Sequence, residues 1–396
     1  MRYMVLRDLR RSRVSDPFGG GRRDFGAAFT AAAPPEPRID VEDLDLKTRN
    51  ALIRDPAVVA ITRPMPIKLI EPLPQADDPP PPAAGDAWGI AAVGANRSAY
   101  TGTGSVVAVL DTGIDRAHPA FAGVTLVEQD FTGSGDGDRA GHGTHIAGTI
   151  FGRDVEGARI GIARGVTRAL IGKILDDRGN GSSESVMRGM SWATDQGADV
   201  ISMSLGFDFP GLVRQWIDQG WPVELATAVA LEAYRGNLRM FDAMMAMVRA
   251  QEVLAPGCVV VAAAGNQSRR DQDPTWEIAA SLPAAAEGVL SVGAVSQQPT
   301  GWTIAPFSNT FPQLVAPGVA IKSAALGGGT REMMGTSMAC PHVAGVAALW
   351  WDFVRGAGLP PRATSVVAKT RATARVEGFA IETDIADRGV GMVTAP

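Results

Sequence analysis

The sequence predicts an α/β fold with a mostly parallel central sheet. Short apolar runs rich in Val and Ile recur along the chain, namely SVVAVLD (105–111), ADVISMSLG (198–206) and CVVVAAAGN (258–266). Continuous runs of this kind are typical of strands that are buried on both faces of a parallel sheet. Helical stretches lie between these runs, and alternating strands and helices favour a sheet with right-handed crossovers.

The three predicted strands each end in small or polar residues. Asp111, Gly206 and Asn266 stand at these ends. Ligands of open α/β sheets bind outside the carboxyl ends of the strands. We therefore expect three distant segments of the chain to converge on one crevice.

Composition sets the broad class of the protein. The chain has 396 residues, of which 45% are hydrophobic and 20% are charged, with a net charge of −5. This length predicts one large domain with a smaller one, or two or three domains, and the charge argues against a strongly basic nucleic-acid-binding protein. Two cysteines, Cys258 and Cys340, cannot form a disulfide framework and are expected to be buried thiols.

No targeting or membrane segment is evident from the sequence. The basic start, MRYMVLRDLRRSRVSDPFGGGRR, lacks the long apolar run of a classical signal peptide. No apolar stretch has the length of a transmembrane helix. We therefore expect no membrane partner, and a cytoplasmic location is favoured.

The clearest domain boundary is a proline-rich linker at 73–86, LPQADDPPPPAAGD. Consecutive prolines donate no hydrogen bonds and favour an extended chain. The linker divides an N-terminal region at 1–72 from a main domain at 87–396. Within the N-terminal region, DLKTRNALIRDP carries helix formers, and AVVAITRPMPIKLIEP predicts strand structure that ends at prolines.

Helices are predicted in two parts of the main domain. SSESVMRGMSWATDQG has helical spacing, with Ser182 or Ser183 as the N-cap. A long segment at about 207–256 predicts two further helices, PVELATAVALEAYRG and NLRMFDAMMAMVRAQEVL. Four side chains of the second helix share one face. They are Phe241, Met244, Met245 and Val248. Packing against the body is the favoured interpretation, and a Met-rich partner or substrate surface is the alternative.

Four polar side chains in three segments suggest chemistry, and each segment also has another interpretation. Asp111 ends a buried strand, where a carboxylate must be hydrogen-bonded, although a turn or N-cap aspartate would look the same. His142 and His145 are three residues apart without a glutamate between them, which is a poor match to a zinc-binding helix. Ser337 precedes the apolar helix MACPHVAGVAALWW, so it is either a nucleophile beside free N–H groups or a plain N-cap.

These residues occur in the order Asp, His, Ser, and their surroundings resemble a known family. VAVLDTGID, GHGTHIAG and GTSMACPHVAG resemble the three catalytic blocks of the subtilisin-like serine proteases. The resemblance extends from about Trp88 to the C-terminus. It implies a subtilisin-like three-layer α/β/α fold with a mostly parallel central sheet, preceded by a small α+β propeptide-like region.

The resemblance also implies a role for each residue. Ser337 would attack the scissile carbonyl, and His142 would accept the serine proton and return it to the leaving amine. Asp111 would orient the imidazole. Asn266 would donate its amide to the oxyanion beside the backbone N–H of Ser337. His145, His342 and Cys340 would then be packing residues. The implied function is a serine endopeptidase that acts on peptides or proteins through an acyl-enzyme.

Substrate-binding residues follow from the same likeness. Two segments would pair with an extended substrate, and a third would form the opposite wall of the pocket for the residue before the cut. The segments are Gly179, Asn180 and Gly181; Ser204, Leu205 and Gly206; and Ala263, Ala264 and Gly265. Ser281 matches the pocket floor, which favours a sizeable apolar side chain unless Glu277 reaches the pocket. Pro283 is expected to follow a cis peptide bond.

No cofactor is implied as a requirement, and no resident metal is expected. The family often draws a calcium ligand from the position that Ala120 occupies in this chain. Asp154 and Glu156, in the loop GRDVEGAR, are either calcium ligands or solvated charges, and the solvated interpretation is favoured. Calcium dependence is therefore doubtful.

The N-terminal region resembles the inhibitory propeptide of the family, most clearly in NALIRDPAVVAITRP. It is expected to act as an intramolecular inhibitor, with self-cleavage between about Ile70 and Asp86. Two alternatives remain beside a general endopeptidase. One is a narrow-specificity intracellular processing protease. The other is a non-catalytic peptide-binding protein on the same fold, for which loss of a catalytic residue would be the mark.

Overall fold

The computed structural model describes residues 1–12, 35–70, 85–380 and 383–396. Most of the linker predicted at 73–86 lies outside these ranges. Within them, no helix combines the length and the apolar character needed to span a bilayer.

The N-terminal part forms a small α+β unit. Its elements are β1 (Arg2–Asp8), α1 (Leu9–Ser12), β2 (Pro37–Asp43), α2 (Leu46–Leu52), β3 (Val58–Thr62) and β4 (Pro66–Leu69). The first three strands make an antiparallel sheet in the order β2-β1-β3, and β4 leaves this sheet to pair elsewhere. Helix α2 begins where the Asp45 carboxylate accepts the Thr48 N–H at 2.7 Å, as an N-cap does.

Strand β1 joins this small unit to the rest of the chain. Tyr3 and Val5 pack with Leu44 in the core of the N-terminal unit, while Met4 and Leu6 are buried in the larger core of the main body. Successive residues of a strand point to opposite faces, so one face of β1 serves each core.

The main body holds the remaining elements. Its helices are α3 (Trp88–Ala92), α4 (His142–Phe151), α5 (Ser183–Asp195), α6 (Phe209–Asp218), α7 (Val223–Ala250), α8 (Thr336–Gly356), α9 (Ala363–Ala372) and α10 (Ile385–Arg388), with short 3-10 turns at Pro119–Phe121 and Gln251–Val253. Its strands are β5 (Val106–Asp111), β6 (Thr125–Asp130), β7 (Arg168–Lys173), β8 (Asn180–Ser182), β9 (Val200–Met203), β10 (Leu205–Phe207), β11 (Val259–Ala263), β12 (Leu290–Gln298), β13 (Gly301–Ile304), β14 (Leu314–Pro317), β15 (Ile321–Ala324) and β16 (Thr330–Met333).

The central sheet runs in the order β13-β12-β11-β9-β5-β7-β6, with β14 also paired to β12. Every pair is parallel except β12 with β13. Val107 and Val109 face one core, which α4 and α8 cover. Ala108 and Leu110 face the other core, which α5 and α7 cover. The predicted three-layer α/β/α fold with a mostly parallel sheet is confirmed.

Helix α5 begins at the first of the two predicted N-cap residues. The Ser182 hydroxyl accepts the Ser185 N–H at 3.4 Å, and the Ser185 hydroxyl accepts the Ser182 N–H at 3.3 Å. This reciprocal pair satisfies two backbone donors at the helix start. Val186, Met187 and Met190 are then buried against the sheet.

The prediction of two helices over the second half of the inserted segment is wrong, because α7 is one helix of 28 residues. It continues through Gly236, the position where the sequence suggested a break. A Cβ on Gly236 would lie 2.2 Å from Thr62 Oγ1, so this glycine permits close packing against β3. The buried Asn237 amide donates to the carbonyls of Ala233 and Arg63, at 2.9 Å each. Tertiary contacts with the N-terminal unit thus explain why the helix does not end there.

The Met-rich face of α7 packs inward, as favoured. Phe241, Met244, Met245 and Val248 are each at most 2% exposed and lie in the core beside the sheet. The alternative of a Met-rich partner surface on this face is therefore wrong.

Candidate active site

The first two predicted site residues meet at the carboxyl end of β5. Asp111 ends β5 and His142 begins α4. Asp111 Oδ1 lies 2.8 Å from His142 Nδ1 and accepts the Thr112 N–H at 2.8 Å. Both side chains are 1% exposed. Because the carboxylate accepts the hydrogen bond, Nδ1 carries the hydrogen and Nε2 keeps its lone pair, the tautomer that a general base needs.

A polar support that the sequence analysis missed ties α4 to β5. The Thr112 hydroxyl donates to Asp138 Oδ1 at 2.9 Å and accepts the Gly143 N–H at 2.9 Å. Asp138 Oδ2 in turn accepts the Thr144 N–H at 2.9 Å. These bonds satisfy donors of the first helical turn and hold the imidazole of His142 over the end of the strand.

Ser337 is the second residue of α8 and is fully buried. Its N–H belongs to the first turn, whose N–H groups have no acceptor within the helix. Gly335, the N-cap, has φ of +154°, and a Cβ there would lie 2.9 Å from Asn266 Nδ2. A side chain at this position would displace the amide of Asn266, so glycine is required at the start of α8.

The amide of Asn266 is oriented by Thr336. Asn266 Oδ1 accepts the Thr336 backbone N–H at 2.9 Å and the Thr336 hydroxyl at 2.8 Å. With both donors on Oδ1, the Nδ2 group lies on the side of the Gly335 backbone, at the turn that leads into Ser337. An amide donor and the first-turn N–H groups of α8 therefore share one corner of the site, an arrangement able to stabilise an oxyanion.

One expected contact is absent from the described part of the chain. Ser337 Oγ does not bond His142 Nε2, which is buried without a hydrogen-bond partner among these residues. The Ser337 hydroxyl instead donates to the backbone carbonyl of Ile70 at 3.1 Å. A hydroxyl has one proton to donate, so the carbonyl of Ile70 holds the proton that His142 would accept.

The predicted substrate-binding edges hold a strand of the chain itself. Strand β4 lies between β10 and β8 in an antiparallel sheet, in the order β10-β4-β8. Lys68 is opposite Gly206 on one side and Asn180 on the other. The Leu69 N–H donates to the Gly179 carbonyl at 2.8 Å. The two edges that the sequence analysis named are thus the neighbours of an extended peptide.

The side chain of Ile70 occupies the predicted pocket. It is 4% exposed. A Cβ built on Gly206 would lie 3.5 Å from Ile70 Cγ1 and 3.6 Å from Ser281 Oγ, so wall, floor and occupant meet there. Ser281 Oγ is buried without a hydrogen-bond partner among the described residues. Glu277 points elsewhere and pairs with Arg270 at 3.1 Å, so the floor is small and neutral.

The predicted opposite wall of the pocket, Ala263 to Gly265, is hydrogen-bonded to the pocket floor and to the start of α8. The Ser281 N–H donates to the Ala264 carbonyl at 3.2 Å, and the Gly265 N–H donates to the Thr336 hydroxyl at 3.1 Å. Ala263, the last residue of β11, is buried in the core. The Leu282–Pro283 peptide bond is cis, as expected.

Comparison with known proteins now decides the family. Residues 102–391 match the family Peptidase_S8, described as the subtilase family. The chain belongs to the subtilase family. The resemblance drawn from the three sequence blocks is confirmed.

Individual subtilases are similar to this chain over most of the main body. Subtilisin-like protease 7 of Arthroderma otae is 34% identical over 290 residues, which cover 69% of this chain and 59% of that protein. The major intracellular serine protease of Bacillus subtilis is 34% identical over 253 residues, covering 61% and 67%. The thermophilic serine proteinase of Bacillus sp. strain AK1 is 35% identical over 251 residues, covering 62% and 52%. The chain thus spans about three fifths of the Arthroderma otae relative.

Ser204 lies behind the subtilase site and supports α8. Its hydroxyl donates to the Ser337 carbonyl at 3.1 Å. The usual donor to that carbonyl would be the N–H of residue 341, but Pro341 has none. Pro341 falls in the second turn of α8, and Ser204 supplies the donor that the proline cannot give to this carbonyl.

The other polar residues near the site are packing residues. His145 Nε2 lies 2.9 Å from the Ile321 carbonyl, and burial lowers the pKa of His145 to about 3. Burial also lowers the pKa of His342 to about 4, and its Nδ1 bonds the Met338 carbonyl at 2.8 Å. Burial raises the pKa of the Cys340 thiol to about 11, so this cysteine stays protonated and unreactive.

Two charged side chains of the loop after α4, Asp154 and Arg153, have partners within the chain. Asp154 is committed to Arg164, at 2.9 and 3.0 Å. Arg153 donates to the carbonyls of Phe151 and Val166, so a guanidinium takes carbonyl oxygens of the kind that calcium binds. Across the described ranges, no three acidic, His or Cys side chains lie close enough together to hold a metal ion.

We expect Ser204→Ala to destabilise the chain by about 1–3 kcal/mol, because the buried Ser337 carbonyl would lose its donor. Chemical denaturation in a Ser337→Ala background, which keeps this carbonyl and prevents self-digestion, would measure the loss. Pro341→Ala restores a backbone N–H at the right position. The double variant Ser204→Ala/Pro341→Ala should therefore lose less than the sum of the two single losses, and strict additivity would contradict this account.

We expect the free energy of unfolding to fall as the pH falls from 7 to 5. His145 and His342 have folded-state pKa values of about 3 and about 4, while an unfolded histidine takes up a proton near pH 6.5. Below that pH the unfolded chain binds more protons than the folded one, so each histidine costs about 2 kcal/mol by pH 5. Denaturant titrations of the Ser337→Ala chain at both pH values would measure the change. His342→Gln in that background should remove one histidine's share, and an equal fall in both chains would refute the assignment.

Proposed function

We propose that this subtilase is a serine endopeptidase that cleaves peptides or proteins through an acyl-enzyme. The observation that carries the proposal is the position of β4 in the groove. The carbonyl of Ile70, directly after this strand, accepts a hydrogen bond from the hydroxyl of Ser337. The buried pair of Asp111 and His142 supports it, as does membership of a family with serine proteases among its relatives.

The proposed acylation begins when the Ser337 hydroxyl turns from the carbonyl to His142 Nε2. Oγ forms a bond to the scissile carbonyl carbon, and its proton passes to Nε2. The carbon–nitrogen bond then breaks, and the imidazolium gives the proton to the leaving amine. Water, deprotonated by the same nitrogen, hydrolyses the ester and restores the serine. Asp111 holds the imidazole in the required tautomer throughout.

The negative charge on the carbonyl oxygen needs preorganised donors. We propose Asn266 Nδ2 and the backbone N–H of Ser337 for this role. The support is the bond from Thr336 to Asn266 Oδ1, which turns the amide nitrogen toward the start of α8. Buried donors that need no reorganisation stabilise a transition state strongly.

The N-terminal region, residues 1–72, is proposed as an intramolecular inhibitor. Strand β4 takes the place of a substrate between β8 and β10, and Ile70 fills the pocket. The same geometry supports Ile70 as the residue before the cut in self-processing, at the start of the range expected from the sequence. The apolar, neutral pocket supports substrates with a sizeable apolar residue at that position.

A narrow-specificity processing protease is the finer form of this proposal. The relatives from Bacillus subtilis and Paenibacillus polymyxa are named intracellular serine proteases, which supports a cytoplasmic location for this chain as well. A peptide-library digest would separate broad from narrow specificity.

Independence from added calcium is also proposed. The support is the loop after α4, where Arg153 donates to carbonyl oxygens.

A non-catalytic peptide-binding protein is the alternative from another class. The missing bond between Ser337 and His142 favours it, because the groove holds a strand with the hydroxyl turned away from the base. A serine-directed fluorophosphonate distinguishes the two functions. Covalent labelling of Ser337 in the processed protein supports the enzyme, and failure to label it supports the binding protein.

We expect the purified wild-type chain to lose residues 1–70 on storage, giving a new N-terminus directly after Ile70. The Ser337→Ala chain should keep its full mass, because Ser337 would supply the attacking oxygen. Intact-mass spectrometry with N-terminal sequencing would follow both proteins. His142→Ala is the matched control, since it removes the base and leaves the hydroxyl. Identical trimming of the wild-type and Ser337→Ala proteins would show that another protease made the cut.

We expect Asn266→Ala to lower kcat of the processed enzyme about 10²–10³-fold with little effect on KM, the magnitude known for the corresponding change in subtilisin itself. Asn266→Asp is the informative control, because it keeps the acceptor for Thr336 but replaces the donor with a negative oxygen. It should lower kcat at least as far as Asn266→Ala. Near-normal activity in Asn266→Asp would mean that the bond to Thr336, and not the amide donor, matters.

A further inference from the structure

The strand in the groove carries a charged contact that the mechanism does not use. Counting back from Ile70, Lys68 is the third residue before the proposed cut. Its Nζ lies 2.9 Å from Asp208 Oδ2. Its neighbours across the strands, Gly206 and Asn180, are uncharged, so Asp208 is the carboxylate that meets this ammonium group.

Asp208 is held both by its own helix and by the strand in the groove. It is the N-cap of α6, and its Oδ1 accepts the Gly211 N–H at 2.9 Å. Its own N–H donates to the Pro66 carbonyl at 3.0 Å, which ties it to the backbone of the strand. A Cβ on Gly211 would lie 2.0 Å from Asp208 Oδ2, so this glycine leaves room for the carboxylate.

The two carboxylate oxygens of Asp208 thus have separate partners. Oδ1 caps the helix, a role that an asparagine would fill equally well. Oδ2 faces the groove, where a cation approaches it. The Asp208 side chain is 13% exposed while that of Lys68 is 52% exposed, so the acid is fixed and the base reaches it from the solvent side. A capping residue alone would need no charge on its second oxygen.

We propose that Asp208 forms a binding subsite for a lysine or arginine side chain at the third position before the scissile bond. The inference rests on the proposed function, because a substrate must replace β4 in the groove. The inserted segment at 207–256 then contributes directly to specificity through its first helix. Lys68 fills the subsite in the unprocessed chain, and a basic substrate fills it afterwards.

The size of the preference follows from the exposure of the pair. Partly exposed ion pairs contribute about 0.2–1 kcal/mol, which corresponds to a preference of about 1.4- to 5-fold in kcat/KM. Screening by salt weakens such a pair, so the preference should shrink between 0.05 and about 1 M NaCl.

The test uses three chromogenic peptides that end in Ile-Lys-Leu-Ile, Ile-Gln-Leu-Ile and Ile-Glu-Leu-Ile; the first copies residues 67–70 of the chain, and the other two replace its lysine. The wild-type full-length protein, after self-processing, and the variants Asp208→Asn and Asp208→Ala are assayed for kcat/KM on each peptide. Asp208→Asn keeps the helix cap and removes the charge, whereas Asp208→Ala removes both. Thermal unfolding of each variant records the loss of the cap separately.

We expect the wild-type order Lys, then Gln, then Glu, with the ratio of Lys to Glu collapsing to about one in both variants. A wild-type ratio of one, or an equal ratio in wild type and Asp208→Asn, would overturn the subsite while leaving the endopeptidase intact. If none of the peptides were hydrolysed by a wild-type protein whose Ser337 also resists fluorophosphonate, the proposed function would fail and the subsite with it.

Discussion

The site depends on the hydrogen-bonded alignment of three parallel strands, β5, β9 and β11. They are neighbours in the sheet, so their carboxyl ends share one edge. Asp111 ends β5, Ser204 follows β9 and Asn266 follows β11. Helix α8 is buried against the same strands and brings Ser337 to that edge. A shift of one residue in any strand would turn its terminal side chain to the opposite face of the sheet.

The carbonyl of Ile70 and the imidazole of His142 compete for a single proton, that of the Ser337 hydroxyl. While β4 is in the groove, the hydroxyl of Ser337 donates to the Ile70 carbonyl, and His142 Nε2 has no partner among the described residues. The two hydrogen bonds exclude each other because a serine has one hydrogen to donate. With the groove occupied, the hydrogen bond between Asp111 and His142 is therefore formed, while the one between His142 and Ser337 is not.

The inserted segment contacts both the N-terminal unit and the strand in the groove. Gly236 and Asn237 of α7 lie against the end of β3, and Asp208 at the start of α6 meets β4. The two α7 contacts use residues that look unsuited to a helix interior when read alone, namely a mid-helix glycine and a buried amide. Tertiary contacts compensate for the local cost in each case.

Much of the fold and site could be predicted from the sequence, because local pattern reflects local physics. Apolar runs identified the buried strands, and the surroundings of Asp111, His142 and Ser337 identified the family. Prediction from the sequence failed where the role of a residue depends on contacts with residues that are distant in the chain. It suggested a break at Gly236, and it gave no sign that Ser204 would replace the hydrogen bond lost at Pro341. Nor could it show which residue reaches Ser337, since Ile70 lies 267 positions away.

Periodicity and turn chemistry depend on near neighbours in the chain, so the sequence by itself determined the elements and the chemical groups. The pairing of β4 with two distant edges depends on packing in three dimensions, and only the tertiary structure decided it.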